Sequence, residues 1–543
     1  MKSQLTPLVL SVILFGFCSQ SFAATDSEAA KIAALQSSVA ELQKQVALLK
    51  NQSKSISTTE ISKKVANKSN PTSMANPTSI AAGNSQIEGT TDLPTTGPLY
   101  LPVDLDVPGQ SFVSSGPYIG IPLEFSGGNL IVNSPSVNED VTLLQIDLNV
   151  DQRLRAMGRP AESLGSHILL SGLVEGQALY RDGGGAANHS DIDLTSVNID
   201  AYVLGPSTWT SGFIELSYDN NIGTETGSFS SNDRMFNSRV FVNKAFVVIG
   251  DFEKTGFYSS FGQMFVPFGV YSTTLVSSPL QKILARTPAR VFVVGYQQQT
   301  PNSLLATGYI FNGPSHASAT SHVNNGGINL AYTLKGTGKT PWSTTFGGGV
   351  IANLADSAGM QFTGNNNARP FPLFGGFGGP TETFTNPDTD LVEQENTGDE
   401  QLVHRVPAYD VNLKLSLGNF QLIAEYITAS THFSPEDLTL NDAGARPDAM
   451  NIEGVYNIPW FVNPTSVSVS YQSSRDSLAI GLPAKRYSVV INRSFWKNTL
   501  QSLEFRRDYD YHDGDTSTGS GIEGPTGTGK FANVVTLQFD YYF

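Results

Sequence analysis

Residues 165–543 predict an all-β fold, a 16-stranded antiparallel transmembrane β-barrel, preceded by a short N-terminal coiled-coil helix. Three observations carry this. Residues 531–543 alternate, with Phe543, Tyr541, Phe539, Leu537 and Val535 on one face and Tyr542, Asp540, Gln538 and Thr536 on the other. An apolar face backed by a polar one suits a strand between lipid and a wet lumen. Sixteen strand-like segments precede and include this one, an even number. Their connections alternate between short and long, which a soluble sandwich has no reason to do.

The elements follow in chain order. Lys2, the apolar run 8–17 and Ser21-Phe22-Ala23 read as a signal peptide over 1–23. Cys18 is the single cysteine and falls inside it, so disulfides and thiolate metal sites are not expected in the mature chain. Beyond residue 23 the chain holds 32 basic and 48 acidic residues, a net charge of −16, which argues against nucleic acid as a partner. Residues 24–50 carry an unbroken heptad pattern, with Ile32, Val39 and Val46 at a and Leu35, Leu42 and Leu49 at d. This predicts self-association into a homo-oligomer through a periplasmic coiled coil, although three heptads are marginal alone. Residues 51–97 are rich in Ser, Thr, Asn and Pro and read as a disordered linker.

Residues 98–164 form a pre-barrel segment, either a periplasmic collar or a small insert in the barrel mouth. Ser136-Val137-Asn138-Glu139 reads as a capping box for a helix near 139–157. The strands follow at 166–181, 190–204, 208–219, 237–251, 256–266, 289–299, 303–312, 325–335, 342–354, 408–417, 420–431, 448–457, 464–473, 485–494, 498–510 and 531–543. Trp209, Trp342, Trp460 and Trp496 all lie in or beside the short connections, as an inner aromatic girdle requires.

Alternation then sorts the charges. Glu175, Glu215, Lys244, Lys414, Glu425, Glu453, Arg486, Glu504 and Arg506 are expected to face the lumen, where wall charges set selectivity. The third long connection, 267–288, is apolar (Leu275, Val276, Leu280, Ile283, Leu284), lacks acids and carries Lys282 and Arg286, with Arg290 starting the next strand. A loop folded into the bore would pack those aliphatics on the wall and present the three cations as a pore constriction. The longest connection, 355–407, holds Phe371, Phe374 and Phe377 in a Gly/Pro-rich run and then acids including Glu393 and Glu395, which reads as an outer lid loop. The seven His are scattered without metal-ligand spacing and no catalytic constellation stands out, so neither an enzyme nor a cofactor is expected.

Two resemblances add to this. Phe261-Gly262-Gln263-Met264-Phe265-Val266 followed by Pro267-Phe268-Gly269 resembles the strand and inward loop of the phosphate-selective porin O/P group, although that group's lysine-rich ladder is not evident. The ordered layout of signal peptide, coiled coil, linker, Gly/Pro-rich segment and barrel ending in Tyr541-Tyr542-Phe543 resembles the TonB-independent outer-membrane siderophore-receptor family (LbtU/FslE-like). A terminal aromatic is also similar to the signature read by the bacterial barrel-assembly machinery. The resemblance implies a Gram-negative outer-membrane protein that takes up iron–siderophore, or iron, without a TonB plug. Residues 165–543 are too few for the roughly 22 strands of a plugged transporter, and 24–164 do not read as a plug. A less specific diffusion porin for small solutes and a barrel-anchored structural or adhesive surface protein stay open.

Overall fold

The computed structural model describes residues 104–106, 111–115, 137–156, 166–184, 188–204, 209–219, 239–315, 322–336, 342–362, 381–385, 392–396, 402–496, 498–519 and 522–543, all within the second of two units, 93–543. The signal peptide, coiled coil and linker expected over 1–97 lie outside them, as do Phe371, Phe374 and Phe377.

Sixteen antiparallel strands close on themselves. They are β1 (Ser166–Gly183), β2 (His189–Leu204), β3 (Thr210–Asp219), β4 (Arg239–Gly250), β5 (Phe257–Phe265), β6 (Pro288–Gln297), β7 (Ser303–Phe311) and β8 (Asn325–Gly336). Then come β9 (Trp342–Ile351), β10 (Ala408–Leu417), β11 (Phe420–Ala429), β12 (Asp448–Asn457), β13 (Thr465–Arg475), β14 (Lys485–Arg493), β15 (Thr499–Tyr509) and β16 (Phe531–Tyr542). Each pairs with its neighbour in sequence, and β16 pairs with β1, placing Asp540 opposite Glu175 and Gln538 opposite Gln177. The Gln177 amide donates to Gln538 Oε1 across this seam at 2.7 Å.

Closure gives each of the sixteen strands a partner on both sides, the condition for a β structure in hydrocarbon. The outward face is apolar and uncovered: Leu537, Phe539, Tyr541, Val469, Val489 and Ile491 are all exposed, while their alternating neighbours are buried. All four Trp are exposed at the short turns, and Trp496 meets Phe539 with centroids 6.3 Å apart. A second aromatic row, Tyr471–Tyr487–Tyr509–Phe531, runs across β13 to β16 toward the long loops. The two rows bracket an apolar band, the layout of an outer-membrane barrel.

β1 reaches past the last residue of the chain. Gly172 exchanges two backbone hydrogen bonds with Phe543, and below that point Ser111–Ser115 takes over as a parallel partner of residues 166–170. Ser111–Ser115 in turn pairs with Asp104–Asp106. The pre-barrel segment therefore extends the sheet at the barrel seam.

It also enters the barrel. Helix α1 (Glu139–Ala156) sets its first two turns against the inner wall of β2 to β5. The Lys244 ammonium on β4 lies 2.9 Å from Glu139 and 2.7 Å from Glu215 on β3, with all three side chains nearly fully buried. Asp140 accepts from Ser260 Oγ at 2.6 Å, the Tyr202 hydroxyl donates to Leu143 O at 3.2 Å, and Leu143 and Leu144 are buried. Glu139 is not held as a capping-box acid, because it is turned to Lys244, a residue 105 positions away that local sequence cannot reveal.

The barrel makes one energetic prediction. Leu537 sits mid-strand on the lipid face, 54% exposed within the protein. Leu537→Arg should lower the unfolding free energy in lipid by about 2–4 kcal/mol, read from denaturant titration in vesicles. An unchanged midpoint would contradict the assigned faces.

Candidate functional site

The connection 266–287 between β5 and β6 folds inward and lies on the opposite wall. Its entry turns sharply at Gly269 (φ +76°), where a Cβ would sit 2.4 Å from the Tyr271 ring, so Gly is required there. Phe268 and Tyr271 are buried on either side.

Inward-facing side chains of five consecutive strands then satisfy the loop's backbone. Glu425 on β11 accepts from the backbone N–H of Val270 and, at 2.8 Å, of Tyr271. Glu453 on β12 accepts from the Thr274 N–H at 2.8 Å, from Thr273 Oγ1 at 2.6 Å, and from the Thr274 hydroxyl. Glu504 on β15 accepts from the Ser277 N–H at 2.9 Å and from its hydroxyl. Between them, Gln472 on β13 accepts from the Leu280 N–H at 3.0 Å. On β14, Asn492 donates to Thr274 O at 2.8 Å and Arg486 to Ser278 O at 3.0 Å. Gln472 thereby caps helix α2 (Leu280–Ala285), which has no side-chain cap of its own. Leu275 and Val276 pack on Leu173, Val490, Leu500 and Tyr542.

The expected constriction residues separate. Lys282 lies on α2, buried, 3.3 Å from Ser278 Oγ. Arg286 stacks on Phe265 with its guanidinium 4.6 Å from the ring centroid. Arg290 is not at the constriction. It stands on the outward face of β6 in phase with Phe292 and Val294, because Pro288 already pairs with Phe265 and fixes the strand's phase before Arg290 is reached. Glu175, Glu215, Lys244, Lys414, Glu425, Glu453, Arg486, Glu504 and Arg506 all occupy inward-facing positions. Six of them are committed to holding inserts: Glu215 and Lys244 to α1, Glu425, Glu453, Arg486 and Glu504 to the loop. Glu175 bonds Thr195 and Gln177. Wall positions on the lower parts of β8 to β10, including Thr333, Lys335, Ser343, Thr345, Lys414 and Ser416, keep partial or full exposure.

The UPF0422 protein of Coxiella burnetii is 33% identical over 441 residues, spanning 80% of this chain and 84% of that one. A UPF0422 protein of Legionella pneumophila strain Philadelphia 1 is also 33% identical over 441 residues, 79% and 76% of the two chains. The chain belongs to the UPF0422 family. No family model matches. Among solved structures, the anion-selective porin from Comamonas acidovorans (10% identical, 70% of this chain and 100% of that one) and the outer-membrane channel DcaP of Acinetobacter baumannii (12%, 70% and 98%) each give a TM-score of 0.39. Pseudomonas putida OprB gives 0.40 at 8% identity, over 72% and 96%.

In this UPF0422 chain both roots of the long loop 352–407 are fastened. At its start, Ser357 Oγ donates to Leu284 O at 2.7 Å and Ala358 N–H to Arg286 O at 2.8 Å, seating helix α3 (Ala358–Phe362) on α2. At its end, Leu354 N–H donates to Val406 O at 2.8 Å, and the Val403 N–H to the Asp437 carboxylate at 3.2 Å. Glu393 and Glu395 fall on the strand Val392–Asn396, which pairs with Thr381–Thr385.

Two outcomes follow from these contacts. Glu453→Ala removes the acceptor of three donors and should destabilise the seated loop by about 3 kcal/mol or more. Trypsin should then cleave after Lys282, which is buried in the native chain; continued resistance would mean that the remaining carboxylates suffice. Burial pushes the Asp437 carboxyl up to about 6 from its ordinary 3.8. A raised carboxyl favours the packed loops at low pH, and this contribution is lost as pH rises through about 6. Protease nicking at Arg405 should therefore speed up from pH 5 to 7.5 relative to Asp437→Asn, which removes the titration.

Proposed function

We propose that the chain is an outer-membrane channel that admits small hydrophilic solutes to the periplasm past a fixed internal constriction. The observation that carries this is the inward loop 266–287, held by Glu425, Glu453 and Glu504. A protein using its barrel only as an anchor gains nothing from ordering such a loop at membrane depth. The cargo favoured by the whole-chain layout is an iron–siderophore complex, or iron, taken up without a TonB plug, and the resemblance to the siderophore-receptor family is its support. In this reading residues 98–164 enter from the periplasmic side, Lys282 and Arg286 belong to the narrowed region, the segment around Phe371, Phe374, Phe377, Glu393 and Glu395 covers the outer mouth, and the heptads of 24–50 join copies into a homo-oligomer. A less specific diffusion porin is the second reading. It is favoured by the rigid tethering of the loop, which suits a static eyelet better than a ligand-driven gate.

The test combines purified protein in planar bilayers with iron-limited uptake of labelled ferric siderophore in a deletion strain and its complement. Discrete conductance together with saturable uptake that vanishes on deletion is expected. Ohmic conductance with no uptake defect would leave the diffusion porin and remove the iron assignment. Absence of conductance would overturn the channel itself.

A further inference from the structure

We propose that the lumen carries an oxyanion-binding site, built by Arg181 on β1, Arg506 on β15 and Arg486 on β14, on the long-loop side of the inward loop. It rests on the channel reading and specifies which solutes that channel favours. Strand register brings the three together. Arg506 lies opposite Val534, and Val534 opposite Arg181, so the two arginines share one level on either side of β16. Two strand spacings, about 10 Å, separate their backbones, a gap that two long side chains reaching toward one ligand can close. Arg486 pairs with Asp508, two residues along β15 from Arg506.

The cluster holds more donors than acceptors. Asp508 is its nearest acid: Arg486 donates to it from Nε at 2.7 Å and from Nη2 at 3.3 Å, and gives Nη1 to Ser278 O at 3.0 Å. Arg506 Nε lies 3.2 Å from Asp508 but out of hydrogen-bonding alignment. Arg181 makes no hydrogen bond or ion pair among the described residues, and its buried Nε is unpartnered. Ser488 Oγ, on the residue opposite Arg506, is likewise buried and unpartnered. Glu504, the next inward acid on β15, is engaged by Ser277; on β2, His189 lies opposite Arg181, and Asp191 and Asp193 lie opposite Leu179 and Gln177, two and four residues away along β1.

Buried polar groups are ordinarily paired. Arg181 Nε and Ser488 Oγ lack partners, and Arg506 meets Asp508 only as an ion pair, so this level of β1, β14 and β15 calls for an acceptor that the described residues do not supply. A guanidinium fork matches a carboxylate or phosphate edge with two parallel hydrogen bonds. The site thus takes a solute bearing at least one such oxyanion, met from the long-loop side before the loop is passed. The acidic surface of the chain does not oppose this, because exposed charges farther away than about 8–10 Å are screened at physiological salt.

The test uses the full-length wild type, the double variant Arg181→Gln/Arg506→Gln, and Arg507→Gln as a control. Arg507 stacks on Phe531 outside the lumen. Reversal potentials in a salt gradient should show anion preference in the wild type and in the control. The double variant should lose it. Inorganic phosphate and succinate, titrated against chloride, should reduce wild-type conductance, with about tenfold weaker action on the double variant. Response to phosphate alone, or to succinate alone, identifies which oxyanion fits. Unchanged reversal potential and inhibition in the double variant overturn the site while leaving the channel intact. If the wild type does not conduct, the channel reading falls, and heat denaturation in detergent still reads the site. Stabilisation by either anion in the wild type and its loss in the double variant support it; no stabilisation of the wild type overturns it.

Discussion

The interior depends on one constraint: an irregular loop packed against the barrel's inner wall must have the backbone N–H and C=O groups that it buries there satisfied by protein. Water does not reach those groups, and an orphaned buried amide costs about 1–3 kcal/mol. The loop 266–287 meets this with carboxylates. Glu425, Glu453 and Glu504 take its N–H groups at 270–271, 274 and 277 in turn, and Gln472, Asn492 and Arg486 take the Leu280 N–H and the Thr274 and Ser278 carbonyls. Hydrogen bonds to a charged acceptor are the stronger kind, so few contacts suffice to hold a long segment in place.

The same wall shows why a polar inner face need not be a wet one. Glu453, Ser468, Gln472, Ser488 and Glu504 are almost wholly buried, because the loop covers them. Across the barrel, α1 covers β2 to β5 and buries Lys244 between two carboxylates. Removing one member of such a buried group costs about 3–5 kcal/mol, so the helix is held as firmly as the loop. Among the described residues the solvated wall includes the lower parts of β8 to β10, which the two inserts leave uncovered.

Much of this was legible from residues alone, and the failures have definite causes. The sixteen strands and the faces of β10, β11, β12, β15 and β16 agree with the structure, because a lipid-facing residue must be apolar and the strand period is two. Arg290 was misplaced because β6 alternates Val291, Val293 and Gly295 with Phe292, Val294 and Tyr296. Both faces are apolar, so hydropathy cannot choose the phase. The Lys244–Glu139 pair spans 105 residues, and the Arg181–Arg506 level depends on β16 lying between β1 and β15. Both are products of barrel closure, and no local pattern encodes them.

The sequence by itself determined that this chain is a membrane barrel, how its strands run and, wherever one face of a strand is polar, which residues point inward, since each of these follows from short-range periodicity against a fixed solvent. Tertiary structure alone decided what the inward residues do. Whether an inward glutamate lines water, anchors a loop or neutralises a lysine depends on which distant segment is folded against it. That is set by register around a closed sheet and by the partners that buried backbone requires.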